Sequence, residues 1–219
     1  MNLRVKICGI KTAEDAHSAA ILGADAVGLN FVPDSPRYIE DENLARAIVL
    51  ELIPLHVLSV GVLVNPVAEA VARMAERLGL DAVQLHGEEK PELAEQIRRA
   101  CSKRIQIWKA YRIGSADDLK RVTKEAWPCD ALLLDARAPG EARGGTGHTF
   151  DWSLLADFPR TRPLILAGGL TPENVAEAVK AVKPSGVDTA SGVEAAPGVK
   201  DSEKMKRFIQ NAKVTAKAL

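Results

Sequence analysis

The stretch PLILAGG, from Pro163 to Gly169, is a short apolar run that ends in two glycines. Its length and composition are typical of a parallel strand that is buried on both faces. The same pattern recurs along the chain, and each run is followed by an amphipathic stretch long enough for a helix. We predict eight strands, which begin near Arg4, Val27, Ser59, Ala82, Ile105, Ala131, Pro163 and Gly186.

Eight β/α units without a Pro/Ser-rich linker predict one domain, residues 1–219, folded as a single (β/α)8 TIM barrel. In this α/β fold, eight parallel strands are enclosed by an outer ring of helices. A doubly wound open sheet is the alternative fold for the same alternation. The loops that follow the strands of a barrel converge at one face, so we expect the chemistry at the carboxyl ends of the strands.

Local signals place helices in the connections between the strands. Thr12 with Asp15 resembles a capping box, and Asn65 and Thr171 each precede a proline, as N-cap residues often do. Between residues 66 and 79, apolar side chains recur at helical spacing before a terminal glycine. The residues predicted to form the core face of this helix are Val67, Val71, Met74 and Leu78.

Composition excludes several functional classes. The 219 residues are 47% hydrophobic and 26% charged, and the 29 basic residues balance the 29 acidic ones. We therefore expect no general attraction to nucleic acid or to a membrane surface, and no apolar run approaches the roughly 20 residues of a transmembrane helix. The first residues lack the features of a secretion signal, and three cysteines do not suggest a disulfide framework. We predict a cytoplasmic protein with reduced thiols.

The tetrad KICG places Cys8 at the carboxyl end of the first predicted strand, just before a glycine and a helix. An isolated cysteine is usually a small buried hydrophobe, and Cys101 and Cys129 suit that interpretation. A thiol at the mouth of a barrel is also a candidate catalytic group. Whether Cys8 is a core residue or a catalytic group therefore depends on the residues around it.

Two glycine-containing segments predict a phosphate site. Gly168 and Gly169 follow the seventh strand, and Ser191 and Gly192 follow the eighth. Barrels often bind phosphate with these two loops, because glycines let backbone N–H groups approach an anion closely. The chain has neither a P-loop lysine nor a G-x-G-x-x-G turn, which argues against nucleotide chemistry.

The connection after the sixth strand is long and rich in glycine, and it reads ARAPGEARGGTGHTF from residue 136 to residue 150. Loops of this length in a compact domain are usually functional, so we expect a mobile lid. Gly144 and Gly145 are candidate backbone donors to a ligand. Asp135 stands at the base of the loop, where it ends the sixth strand.

Seven segments resemble, in order, the phosphoribosylanthranilate isomerase family of tryptophan biosynthesis. They lie between residue 4 and about residue 201 and read KICGIKT, GLNFVPDSPRYI, VGVLVN, DAVQLHGEE, LLLDARAPGEARGGTGHTFDW, LILAGGLTPENV and VDTASGVEAAPGVKD. The resemblance implies a cofactor-free and metal-free Amadori rearrangement of N-(5-phosphoribosyl)anthranilate to 1-(2-carboxyphenylamino)-1-deoxy-D-ribulose 5-phosphate. We expect the sugar phosphate as the only ligand class, no nucleic acid or membrane partner, and a monomer or homodimer.

The rearrangement needs one acid and one base. The family uses the cysteine of KICG as the general base and the aspartate that ends strand six as the general acid, which implies Cys8 and Asp135 here. A carboxylic acid can protonate the furanose oxygen, and a thiolate can remove a carbon-bound proton once the imine has acidified it. The resemblance also implies that Arg37 binds the anthranilate carboxylate.

Three further residues are predicted to lie at the mouth or, in the case of Lys6, in the barrel just below it. Strand alternation places His86 at the mouth, and we expect it to contact substrate or to order a loop, not to act as acid or base. Lys6 lies on the same strand face as Cys8, so we hypothesise that its ammonium lowers the thiol pKa from its ordinary value of roughly 8.5. We expect Asp188 to neutralise Lys6 or to bond a sugar hydroxyl.

Two other functions fit parts of this pattern. A related sugar-phosphate isomerase of histidine biosynthesis performs the same rearrangement with a pair of aspartates, and the thiol at position 8 argues against it. A non-catalytic barrel that binds a sugar phosphate would have no reason to keep both Cys8 and Asp135.

Overall fold

A computed structural model describes residues 2–136, 152–155 and 158–219. Eight parallel strands form a closed barrel in chain order, and the first strand closes it by pairing with the eighth. The strands are β1 Arg4–Cys8, β2 Ala26–Asn30, β3 Leu58–Leu63, β4 Ala82–Leu85, β5 Gln106–Ile113, β6 Ala131–Ala136, β7 Leu164–Ala167 and β8 Gly186–Thr189. The predicted (β/α)8 barrel is confirmed, the open sheet is excluded, and every strand begins within one residue of its predicted start.

Helices surround the barrel. Within the described ranges they are α1 Ala13–Ile21, α2 Glu42–Leu52, α3 Ala68–Leu78, α4 Glu92–Ala100, α5 Ala116–Glu125, α6 Val175–Val182 and α7 Ser202–Lys217. The described part of the connection between β6 and β7 contains a short 3₁₀ helix, Trp152–Leu155. After β8 comes an antiparallel hairpin of β9 (Glu194–Ala196) and β10 (Val199–Lys200). In the part of the chain that the structure describes, no helix is long and apolar enough to cross a membrane.

Alternate residues of each strand face opposite sides, which produces two hydrophobic clusters. Inside the barrel, small side chains such as Ala26, Ala82 and Ala131 pack with Trp108 and Ile165. A larger cluster joins the outer faces of the strands to the helices. Because side chains fill the barrel, the carboxyl ends of the strands are left as the place for a ligand.

The predicted helix starts are only partly right. Thr12 is confirmed as the N-cap of α1, and its Oγ1 accepts a hydrogen bond from the Asp15 N–H at 3.0 Å. Asn65 does not cap α3, because it adopts a left-handed conformation (φ 47°) and its Oδ1 accepts from the Glu88 N–H in the loop after β4. Thr171 closes a turn and does not cap α6. In both wrong cases the residue serves a loop at the barrel mouth.

The core face of α3 begins later than predicted. Val71 and Leu78 are buried and Met74 packs against the core, as expected. Val67 is 65% exposed, so its assignment to the core was wrong. Its backbone is extended just before the helix begins, which takes its side chain out of the helical face. Gly79 is confirmed as the helix stop, in a left-handed conformation.

Candidate active site

Cys8 ends β1 on the face that points into the barrel. It is 9% exposed and lies outside both hydrophobic clusters of the described residues. Across the strands it pairs with Gly28 of β2, and a Cβ on Gly28 would lie only 2.7 Å from the Cys8 Sγ. Because Gly28 has no side chain, the Cys8 thiol can occupy this space at the barrel mouth.

Lys6 and Asp188 form an ion pair inside the barrel on the same side as the thiol. The Lys6 Nζ lies 2.9 Å from the Asp188 Oδ1, and the two side chains are 2% and 9% exposed. The residues are register partners between β1 and β8. This contact matches the first of the two expectations for Asp188, and its bond to a sugar hydroxyl stays a prediction.

The pKa of the Cys8 thiol is raised overall in the free protein, because burial outweighs the lowering by Lys6 that we predicted. Burial is the largest cause, because it leaves a thiolate poorly solvated. Lys6 acts in the predicted direction and lowers this pKa, but Asp188 opposes it. For Lys6 itself, burial favours the neutral amine, yet the charges of Asp188 and Cys8 prevail and raise its pKa. The opposing charges of Lys6 and Asp188 therefore tune how readily the thiol ionises.

Asp135 is the penultimate residue of β6 and is 4% exposed. One of its oxygens, Oδ2, lies 3.7 Å from the Nε2 of His86, which follows β4, and this is too long for a hydrogen bond. Burial lowers the pKa of His86, and the attraction of Asp135 does not restore it. The imidazole is therefore neutral near neutral pH, and its buried Nε2 has no hydrogen-bond partner among the described residues. Such a nitrogen is suited to contact a ligand.

A cavity beside His86 widens the mouth over β4 and β5. Its volume is about 470 Å³, and its lining includes the cations Arg112 and Arg121. Arg112 is the register partner of Asp135 and is exposed. Arg112 was not predicted as a site residue from the sequence. Strand alternation could have found it, because it follows the inward-facing Ala110 by two residues.

The two glycine loops touch each other. Gly168 and Gly169 adopt positive φ angles of 94° and 62° after β7. A Cβ on Gly192, after β8, would lie 1.9 Å from the backbone oxygen of Leu170, so the second loop packs directly on the first. The Thr189 hydroxyl also donates to this oxygen at 2.7 Å. The loop that contains Gly168 and Gly169 therefore packs against the loop that contains Ser191 and Gly192, and we refer to these two loops together as the phosphate cradle.

Arg37 lies over Gly9 and pairs with Glu194, which was not predicted as a site residue. A Cβ on Gly9 (φ 75°) would lie 2.3 Å from the Arg37 Cδ. The glycine of KICG therefore leaves space for the aliphatic part of the Arg37 side chain to pack over it. The guanidinium makes two hydrogen bonds with Glu194, from Nε to Oε1 at 2.6 Å and from Nη2 to Oε2 at 2.7 Å. The segment SGVE ends with Glu194, and a glutamate in a glycine-containing segment after a strand was the available signal.

The structure thus gathers most predicted residues at one mouth. Gly144 and Gly145, together with the predicted lid after Ala136, lie outside the described residues. Within the described ranges, no group of three or more His, Cys, Asp and Glu side chains is arranged to hold a metal ion.

Comparisons with known proteins agree with this arrangement. The profile of the family described as N-(5'phosphoribosyl)anthranilate (PRA) isomerase matches residues 5–211. A relative from Myxococcus xanthus, an N-(5'-phosphoribosyl)anthranilate isomerase, is 45% identical over 217 residues and covers 97% of each chain.

Two solved structures share the fold over nearly the whole chain. The phosphoribosyl anthranilate isomerase of Thermotoga maritima is 46% identical with a TM-score of 0.86, over 97% of this chain and 99% of its own. The second structure, a phosphoribosyl anthranilate isomerase in complex with reduced 1-(o-carboxyphenylamino)-1-deoxyribulose 5-phosphate, is 44% identical with a TM-score of 0.84 and the same coverage. The chain therefore belongs to the N-(5'-phosphoribosyl)anthranilate isomerase family.

Proposed function

We propose that Cys8 is the general base and Asp135 the general acid of the isomerase reaction of this family. The enzyme converts N-(5'-phosphoribosyl)anthranilate to 1-(2-carboxyphenylamino)-1-deoxy-D-ribulose 5-phosphate, a step of tryptophan biosynthesis. One observation supports the residue assignment above others: a buried thiol and a buried carboxyl lie at the carboxyl ends of β1 and β6 in one closed barrel, beside the two glycine loops. We also propose that residues 1–219 form one catalytic domain.

The proposed chemistry has two proton transfers. Asp135 donates a proton to the furanose oxygen, the bond from C1 to that oxygen breaks, and the anilino nitrogen supplies the electron pair of the new C=N bond. The Cys8 thiolate then removes the proton from C2, and the resulting enol tautomerises to the ketose. The raised pKa of Cys8 makes its thiolate scarce but a stronger base, so we expect the rate to rise with pH on the alkaline side.

The remaining residues bind the substrate in this proposal. Gly168, Gly169, Ser191 and Gly192 offer backbone N–H groups to the phosphate. The N–H groups of Arg37 that Glu194 leaves unused bind the anthranilate carboxylate. His86 contacts the substrate through its neutral imidazole, and Asp188 through its second oxygen.

The test is turnover of N-(5'-phosphoribosyl)anthranilate by Cys8→Ser and Asp135→Asn. We expect each variant to lose roughly 10²–10⁴-fold in kcat with little change in KM or in circular dichroism. Matched controls are Cys101→Ser and Asp117→Asn, which alter a thiol and a carboxylate outside the site and should keep normal rates. Near-normal kcat in Cys8→Ser or Asp135→Asn would refute the assigned role, and inactive wild-type protein would refute the reaction itself.

We further propose a cytoplasmic location and a monomeric or homodimeric state. The support for the location is that all three cysteines are unpaired, as in a reducing compartment. Light scattering of the purified protein measures its mass directly, and a tetramer or larger assembly would contradict the proposal.

A further inference from the structure

Glu194 is a buried carboxylate that pairs with two cations at once. Its side chain is 4% exposed, and those of Lys200 and Arg37 are 0% and 20% exposed. Oε1 accepts from the Lys200 Nζ at 2.8 Å and from the Arg37 Nε at 2.6 Å, and Oε2 accepts from the Arg37 Nη2 at 2.7 Å. Burial acts to raise the pKa of Glu194, but these partners outweigh it and lower the pKa. The cluster carries two cations and one anion, and therefore keeps a positive charge for a ligand.

The cluster connects the two loops that face opposite ends of the proposed substrate. Glu194 directly follows the 3₁₀ helix Ser191–Val193, which contains the second half of the phosphate cradle. Lys200 fastens the β9–β10 hairpin to the same loop, because its Nζ also donates to the backbone oxygen of Ala190 at 3.0 Å. Arg37 belongs to the loop after β2. Glu194 therefore fixes Arg37 to the loop that would hold the phosphate.

A second contact joins the same two loops independently. Gly198 forms the turn of the β9–β10 hairpin with a φ of 81°, and a Cβ there would lie 2.8 Å from the backbone oxygen of Pro36. The hairpin thus packs on the residue that precedes Arg37. An arginine side chain loses rotamer entropy when it is immobilised, and contacts that hold it before binding reduce the cost of fixing it on a ligand.

We propose that Glu194 is a positioning residue that fixes the Arg37 guanidinium relative to the phosphate loop, so that the site selects ligands carrying a carboxylate as well as a phosphate. This inference rests on the proposed function, in which Arg37 binds the anthranilate carboxylate. Glu194 itself does not touch the substrate: it uses two N–H groups of Arg37 and leaves the others for the ligand. Lys200 offsets its charge, so that Glu194 does not repel a second carboxylate.

The test compares two probes, reduced 1-(o-carboxyphenylamino)-1-deoxyribulose 5-phosphate and the same compound without its carboxyl group. Calorimetry gives the Kd of each probe for the wild type, Arg37→Ala, Glu194→Ala and Glu194→Gln. We expect Glu194→Ala to weaken the carboxylate-bearing probe roughly 10- to 100-fold and the other probe less than about threefold. Glu194→Gln keeps the shape and one carbonyl acceptor, so we expect an intermediate loss. Glu95→Ala, which removes an exposed glutamate paired with Arg99, is the matched control.

Each outcome decides a separate point. If Arg37→Ala weakens only the carboxylate-bearing probe but the Glu194 variants do not, the positioning role is wrong while the Arg37 assignment stands. If Arg37→Ala affects both probes equally, the Arg37 assignment falls and the inference falls with it. Equal losses for both probes in the Glu194 variants indicate a general structural role and also overturn the inference. If Glu194→Ala does not fold, Glu194→Gln decides the question.

Discussion

Replacement of Lys6 by methionine removes one partner of an ion pair inside the barrel. The pair is 2.9 Å long and its side chains are 2% and 9% exposed, so the Asp188 carboxylate would stay buried without its counter-ion. Breaking a buried pair in this way typically costs about 3–5 kcal/mol. In a domain of this size each kcal/mol lowers Tm by about 2–4 °C, so we expect Tm to fall by roughly 6–20 °C.

The double variant Lys6→Met/Asp188→Asn separates the charge effect from packing. It leaves neither charge unpaired. Its loss of unfolding free energy should therefore be smaller than the summed losses of the two single variants by about 0.5–3 kcal/mol. The pKa of Lys6 is raised in the folded state, so the pair stabilises the fold fully below the unfolded lysine pKa of about 10.4. That stabilisation is lost as pH rises through the pKa of Lys6 in the folded state. The difference in unfolding free energy between wild type and Lys6→Met should therefore become smaller in that pH range.

The same two substitutions should move the Cys8 thiol in opposite directions. Lys6 lowers its pKa and Asp188 raises it. The rise of kcat/KM with pH reports the ionisation of the Cys8 thiol in the free enzyme. It should therefore shift to higher pH in Lys6→Met and to lower pH in Asp188→Asn. Thermal unfolding and pH–rate profiles of the three variants measure both effects. Shifts of equal sign, or a Tm of Lys6→Met within 2 °C of the wild type by the scale above, would refute this reasoning.

Three further substitutions test the cradle, the acid stability and the core. Gly192→Ala forces a Cβ to within 1.9 Å of the Leu170 backbone oxygen, so inhibition by inorganic phosphate should weaken roughly tenfold, and unchanged inhibition would contradict the cradle. Burial acts to raise the pKa of Glu89, but its ion pair with Lys109 outweighs burial and lowers this pKa. The ion pair therefore stabilises the fold above about pH 5, and this contribution is lost at lower pH. Glu89→Gln should then unfold more easily in urea near pH 7 but lose less stability on acidification, and parallel pH curves would contradict this. Val67→Asp should change the unfolding free energy by less than about 0.5 kcal/mol, because Val67 is exposed, and a loss of several kcal/mol would mean that Val67 is core after all.

Local patterns were enough to predict the barrel and the ends of its strands. Apolar runs alternate with longer connecting stretches along the chain, and the position of Cys8 or Asp135 near a strand end is a property of a few neighbouring residues. The topology of the fold then brings all strand ends to one face, whatever the details of packing. Helix starts were less predictable, because Asn65 bonds a residue from another loop and so leaves its expected cap position.

Charge and orientation at the site were decided only by the tertiary structure. Lys6 and Asp188 are 182 residues apart in the chain, and Arg37 and Glu194 are 157 apart. The barrel topology was enough to predict that the first pair could meet, but no local pattern predicted the second. The sequence alone determined the barrel and which residues stand at its mouth, since both follow from periodicity and topology. The pKa of Cys8 and the direction in which Arg37 points depend on burial and on charges a few ångströms away, and only the folded chain sets those distances.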